Sequence, residues 1–379
     1  MILRTRLAHL SKPQSKVLAM WSLGMVLAKT CGQSKVVASL ASYLGEKESN
    51  LRQRLREWCW DREAKQGHKR TDWSVNQSFV PLLHWILSLW TGAEKQLVLA
   101  MDATSLKQVF VVLTISVVYR SCAIPVAWTI LPEGQKGSWR EPWLALFQCL
   151  QGGIPADWAV LVMADRGLYA GWLYYTILAN GWHPFLRINL RSHYRPKGAA
   201  DFRPMGQLLP SPGYAWSGQV TCFAHNSVEG TLLACWGTRY KEPWLILSDL
   251  PPQSASATWY AMRSWIEDSF KDLKRDGWQW QNTRMRDPAR ADRFWLALAV
   301  ATLWVVSVGG EVDARLPASS LQELPITHIA RRTKLRSNPP RLLSCFSRGL
   351  IQVLTDLLAQ RPISLGTFSP ECWPLKTYP

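Results

Sequence analysis

The spacing of hydrophobic positions changes several times along the chain. Up to about residue 92 it is helical. "SKVLAMWSLGMVLAKT" and "SFVPLLHWILSLW" read as helices, and between them "SKVVASLASYL", a turn at Gly45 and "ESNLRQRLREW" read as a shorter helical pair. From about residue 96 the runs turn β-rich: "QLVLAMDAT", "VFVVLTISVVYRS" and "AIPVAWTILP" have short breaks between them, as neighbouring antiparallel strands do. A helix, "EPWLALFQCLQ", a strand, "WAVLVMAD", a helix, "GWLYYTILANG", and a strand, "HPFLRIN", complete the order βββαβαβ. Between about 191 and 249, Gly and Pro separate short β-like pieces such as "GQVTCFAH" and "TLLACWGTRY", ending in "EPWLILSDL". This predicts a small β insertion, after which the helical "YAMRSWIEDSFKDLK" at 260–274 resumes the main fold. "FWLALAVATLWVVSV" at 294–308 is short for a bilayer and reads as a buried helix.

Three strands followed by alternating helix and strand is the order of an RNase H-like α/β sheet. Asp102 closes the first predicted strand in "AMDATSLK", and Asp165 closes the fourth in "VLVMADRG". Either alone also reads as a turn former. On strands adjacent in this topology, both point into one cleft. The third acid, Glu267, lies in the 260–274 helix. At about 100° per residue, Tyr260, Arg263, Glu267, Lys271 and Lys274 share one stripe about 80° wide. Met262, Ile266, Phe270 and Leu273 form a core-facing strip beside it. A solvated face with an Arg263–Glu267 pair gives the same pattern. The functional alternative is that Glu267 joins Asp102 and Asp165 in holding divalent metal while the cations neutralise phosphates. Hard carboxylate oxygens suit Mg²⁺ or Mn²⁺, and two such ions about 3.5 to 4 Å apart can drive in-line phosphoryl transfer.

Charge adds a partner class. Lys and Arg number 44 against 27 Asp and Glu, a formal net charge of +17, which favours a polyanion. A hydrophobic content of 47% excludes a disordered tail protein. The 22 Trp serve packing first, yet so many flat rings also offer stacking platforms for bases. In the second helix of the N-terminal pair, Arg52, Arg54 and Arg56 are of a type that reaches phosphates and base edges, as in a helix-turn-helix; an αα-hairpin with a solvated basic face reads the same. The eight Cys form no CxxC pair or spaced Cys/His set and read as reduced thiols of a cytoplasmic protein, and "MILRTRLAHLSK" has no leader-like apolar region.

Tyr260, Arg263, Glu267 and Lys274 fit a Y-(2)-R-(3)-E-(6)-K signature at all four positions. In this the chain resembles DDE transposases of the IS4-like superfamily, the relatives of Tn5 transposase. "DATSLK" and "ADRG" resemble the family's two Asp motifs, and a β insertion between the second Asp and the Glu is a family trait, so the likeness spans about 96–310. The resemblance implies an RNase H-like (retroviral integrase superfamily) catalytic core with a β-rich insertion and a helical N-terminal domain. It implies an insertion-sequence enzyme that cuts double-stranded DNA at terminal inverted repeats, through a hairpin intermediate, and joins the ends to target DNA as a homodimer. Asp102, Asp165 and Glu267 are then the catalytic triad, holding two Mg²⁺ (or Mn²⁺). Tyr260, Arg263 and Lys274 contact phosphates near the cut, Lys271, Lys107 and Arg166 are neighbouring DNA contacts, and Trp244 stacks on a flipped base. The expected organisation is 1–92 for DNA binding, 93–190 and 250–312 for the two parts of the core, 191–249 for the insertion, and 313–379 for a C-terminal region with DNA or dimer contacts. A bacterial, nucleoid-associated location and no membrane partner accompany it. The rivals are a catalytically silent transposase-derived DNA-binding protein and an RNase H-fold nuclease without strand transfer.

Overall fold

The structure, a computed structural model, describes residues 2–65, 72–135, 139–238, 240–315 and 343–369. Its N-terminal part is helical: α1 (Ile2–Arg6), α2 (Lys12–Ala28), α3 (Gln33–Leu44), α4 (Glu48–Trp58) and α5 (Phe79–Ser88). Ser11 and Gln14 cap the start of α2 reciprocally, each side chain bonding the other's backbone N–H. α3 ends at Gly45, whose φ of +66° is a left-handed conformation that glycine adopts without a steric penalty. α4 then buries Leu51, Leu55 and Trp58, one side of a helix whose other side is charged.

The strands are β1 (Gln96–Leu106), β2 (Phe110–Tyr119), β3 (Cys122–Pro132), β4 (Ala159–Ala164) and β5 (His183–Arg187), with α6 (Arg140–Leu150) before β4 and α7 (Gly171–Ala179) before β5. β1, β2 and β3 pair antiparallel, while β4 runs parallel to β1 and β5 parallel to β4. The element order is the βββαβαβ read from the pattern. The inserted strands β6 (His193–Pro196), β7 (Arg203–Pro204), β8 (Ala215–Cys222), β9 (Val228–Cys235) and β10 (Trp244–Ser248) continue the same sheet. All ten lie in the order β3-β2-β1-β4-β5-β10-β9-β8-β6-β7. β10 pairs antiparallel with β5 and satisfies the backbone groups that β5 would otherwise expose as an edge.

The 260–274 segment is not one regular helix. Residues Ala257–Arg263 form a 3₁₀ helix, α8 spans Ser264–Lys271, and Asp272–Asp276 form a wider π turn. A 3₁₀ helix repeats every three residues, so Tyr260 and Arg263 lie on one line, while the π turn breaks the stripe before Lys274. The core strip of Met262, Ile266, Phe270 and Leu273 is buried as expected, and Trp265 is buried with it.

α9 (Pro288–Ala314) begins at Asp287, whose side chain accepts from the Arg290 N–H. It is longer than the apolar run suggested. By length and composition it could cross a membrane, but 89% of its most apolar window is buried inside the fold. Its apolar residues face several directions because it is packed on several sides. Trp295 meets Trp128 of β3 at 6.1 Å, Phe294 meets Trp21 of α2 edge-on at 5.1 Å, and the Trp58 indole donates to the Arg293 carbonyl at 3.1 Å. α10 (Cys345–Leu358), which begins four residues before the predicted "GLIQVLTDLLAQ" helix, packs on its far end; "HIARRTKLRSNPPR" lies outside the described residues.

Candidate active site

The sheet register assembles the site. Met101 pairs with Ala164 and Ala164 with Leu186, so the next residues on each strand, Asp102, Asp165 and Arg187, form one row across β1, β4 and β5. Asp102 does not close its strand as the pattern suggested. β1 runs on to Leu106 and Asp102 pairs with Thr114 of β2; it is β4 that stops, leaving Asp102 beside the end of a shorter neighbour. Polar residues continue β1 because the hairpin with β2, and not burial, carries that part of the strand.

Arg263 lies between two of the acids. Its guanidinium is 2.7 Å from Asp102 Oδ2 and also bonds Glu267 Oε1, one helical turn on, and it is 7% exposed. Asp102 Oδ1 accepts the Ala103 N–H at 2.8 Å. Asp165 Oδ1 accepts the Arg166 N–H at 2.7 Å and faces the Tyr260 hydroxyl at 3.4 Å and Arg187 Nη1 at 3.8 Å. The three proposed acids and the first half of the signature therefore converge.

Burial raises the Asp102 pKa above the usual carboxylate value, and Glu267 and Asp165 push the same way, against Arg263 and the Ala103 N–H. Burial also raises the Tyr260 phenol, with Asp165 adding to it, so at neutral pH it is an uncharged donor. Among the described residues no three His, Cys, Asp or Glu side chains stand together as a metal cage. The donor chemistry nonetheless fits a hard divalent cation: Asp102 and Glu267 share Arg263, and Asp165 follows the residue paired with Met101, so the candidate donors are all carboxylate oxygens. In this arrangement Arg263 supplies the positive charge that Asp102 and Glu267 need.

Other expected contacts fall differently. Lys274 donates to the Thr104 hydroxyl at 2.6 Å and the Ser105 carbonyl at 2.7 Å, so the π turn aims its ammonium at β1 and not along the stripe. Burial lowers its pKa, with Arg275 acting in the same direction. Lys271 is exposed and paired with Asp268. Trp244 is 5% exposed, with its ring between Tyr240 at 4.6 Å and Tyr260 at 5.4 Å. No face of it is open to a base here, and it packs behind Tyr260. Lys107 is exposed at the β1–β2 turn. On α4, Arg52 pairs with Glu48 at 3.7 Å, Arg54 with Glu46 at 2.7 Å, and Arg56 lies 5.9 Å from the Trp60 ring.

Two residues escaped the sequence reading. Arg187, 4% exposed, reaches Asp165 and also Glu242 at 3.4 Å, and Glu242 binds Arg166 at 2.9 Å. The available signal was an Arg inside the apolar strand "HPFLRIN", since a buried guanidinium requires an anionic or polar partner.

Residues 145–304 match the family model of the transposase DDE domain. The match supports a DDE transposase. It covers Asp165, Tyr260, Arg263, Glu267 and Lys274 and begins after Asp102. No curated protein matches the chain.

Proposed function

We propose that the chain is a cut-and-paste DDE transposase of the IS4-like kind, with an RNase H-like core and with Asp102, Asp165 and Glu267 as its catalytic acids. One observation supports the reading: Asp102 and Asp165 each follow a residue of the Met101–Ala164 pair on β1 and β4, and Arg263, at the start of the helix that returns from the insertion, bridges Asp102 and Glu267. Asp102, Asp165 and Glu267 would hold Mg²⁺ or Mn²⁺, which when bound supplies Lewis acidity for attack by water or a 3′-hydroxyl and for departure of the leaving oxygen. The chain's own part is positioning. Tyr260 offers a neutral hydroxyl to Asp165 and fixes its orientation. Arg263, freed from an acid, is placed to meet a phosphate, and Lys274 fixes the β1 extension two residues beyond Asp102. Residues 1–92 are the proposed reader of terminal repeats, 93–190 and 250–312 the core, 191–249 the insertion and 313–379 a region for DNA or dimer contacts. A homodimer pairing two DNA ends in a bacterial cytoplasm completes the proposal.

The test uses duplex DNA carrying the element's own ends, with Mg²⁺. Asp102→Asn, Asp165→Asn and Glu267→Gln should each abolish cleavage and joining and leave end binding within a few-fold of wild type. Substantial Mg²⁺-dependent cleavage by any one of them removes that residue from the triad.

A further inference from the structure

The pairing that aligns the acids can be followed across the insertion. Phe185, two residues before Arg187 and so on the same side of the sheet, pairs with Ser248, Ser248 with Thr231, and Thr231 with Gln219. Gln219 O in turn accepts the Lys197 N–H at 2.9 Å. Arg195 pairs with Thr221, which also lies on that side. Residues paired across a sheet share a face, and alternate residues along a strand return to it. Lys197 and Arg195 therefore lie on the face that carries Asp102, Asp165 and Arg187. α7 lies on the opposite face: a Cβ on Gly230, which pairs with Val220 between Gln219 and Thr221, would fall 2.8 Å from the Tyr174 hydroxyl.

These two cations differ from those near the acids. Arg166, Arg187 and Arg263 are matched by carboxylates. Lys197 is exposed and its ammonium donates to Gln219 Oε1 at 3.1 Å; Arg195 is half-buried with its guanidinium 5.0 Å from the Phe202 ring. Neither has a carboxylate partner among the described residues. Glu229 is an acid in the Arg195 row, two strands away. Ser217, Gln219 and Thr221 supply uncharged hydrogen-bonding groups beside them. From β4 to β6 is five strand spacings, about 24 Å, or roughly seven base pairs of duplex.

We propose that Arg195 and Lys197, with Gln219 and Thr221, form a second phosphate-binding surface that holds the DNA duplex roughly seven base pairs inward from the acids. The idea rests on the transposase reading, because the duplex must begin at the acids for the spacing to matter. The surface carries no base-reading role: paired charges near the acids fix the end, and unpaired charges on the insertion fix the direction of the duplex leaving it.

The experiment compares wild type with an Arg195→Gln/Lys197→Gln double variant on two duplexes that share one end, about 5 and about 16 base pairs long, a choice that brackets the estimated reach. Metal is omitted and binding is followed by fluorescence anisotropy at several salt concentrations. Wild type should bind the long duplex more tightly than the short. The variant should lose about tenfold on the long duplex only, with the slope of log affinity against log salt reduced by about 2 for two lost phosphate contacts. An unchanged thermal midpoint would exclude misfolding. Equal loss on both lengths, or none, overturns the surface. So does a loss confined to single-stranded DNA, which would assign these residues to a displaced strand. Failure of wild type to bind any duplex would instead sink the transposase reading, whereas a wild type that binds beside a variant of unaltered affinity and salt slope sinks only this surface.

Discussion

Arg263 shows how much one side chain can carry. It is buried between Asp102 and Glu267, so truncation removes the counter-charge that Asp102 pairs with, and breaking a buried pair from one side costs about 3–5 kcal/mol. Arg263→Lys keeps the charge but loses the planar fork that reaches both acids. We expect Arg263→Met to lower the thermal midpoint clearly and Arg263→Lys to lower it by less, with cleavage lost in both; midpoints equal to wild type would show that the bridge is not maintained in solution. A second residue prediction concerns Asp292, whose pKa burial raises to about 7, against the Ile130 backbone hydrogen bond and the charge of Arg293. The folded state then keeps a proton that the unfolded state releases near pH 4, so stability falls as pH rises from about 4 to about 7 and levels off above, by about 1.4 kcal/mol per unit at most. Asp292→Asn should flatten that limb in denaturant titrations at pH 5, 6 and 8; an identical pH profile in the variant would clear Asp292 of the effect. Asp102 and Asp165 were legible as candidates because each follows an apolar strand run, and Glu267 because it stands among cations on a helical segment. Arg187 and Glu242 were not, because their meaning lies in a contact between β5 and the approach to β10, 55 residues apart.

Elements were legible where their period is set locally and illegible where neighbours set it. The strands of the core and insertion follow from alternation and β-branched content, but that the insertion extends the main sheet depends on β5–β10 pairing, which no local pattern specifies. The 3₁₀–α–π sequence at 257–276 is similar. The chain after it is anchored by Trp278, whose N–H donates to the Asp272 carbonyl at 2.7 Å, whose carbonyl accepts from Cys31 at 2.6 Å, and whose indole donates to Thr302 at 2.9 Å. Those distant anchors accompany a widened last turn, and a uniform 100° rotation misplaces Lys274. Between α9 and α10 the decisive feature is size. A Cβ on Gly349 would fall 1.8 Å from the Val305 carbonyl oxygen, and one on Gly309 2.0 Å from that of Cys345. Gly349→Ala should therefore force the helices apart and cost about 1–3 kcal/mol or more, seen as a lower denaturation midpoint. A midpoint within error of wild type would mean that the two helices do not cross this closely.

At the scale of the whole molecule, the segments named for separate roles share one interior. α9 touches the N-terminal helices through Phe294 and Trp21, the sheet through Trp295 and Trp128, and α10 through Gly309. The insertion joins that interior through β10, whose Leu245, Ile246 and Leu247 are buried between β5 and β9. The buried residues of these segments form one core, so loss of packing in one region is expected to be felt in the others. We therefore expect one cooperative unfolding transition, with far-ultraviolet dichroism and tryptophan fluorescence coinciding in urea. Leu232→Ala in β9 and Leu55→Ala in α4, both fully buried, should each move both signals together by about 2–5 kcal/mol. Two resolved transitions, with Leu232→Ala moving one and Leu55→Ala the other, would show instead that the N-terminal helices and the sheet fold as independent units, and that α9 docks between them without coupling their stability.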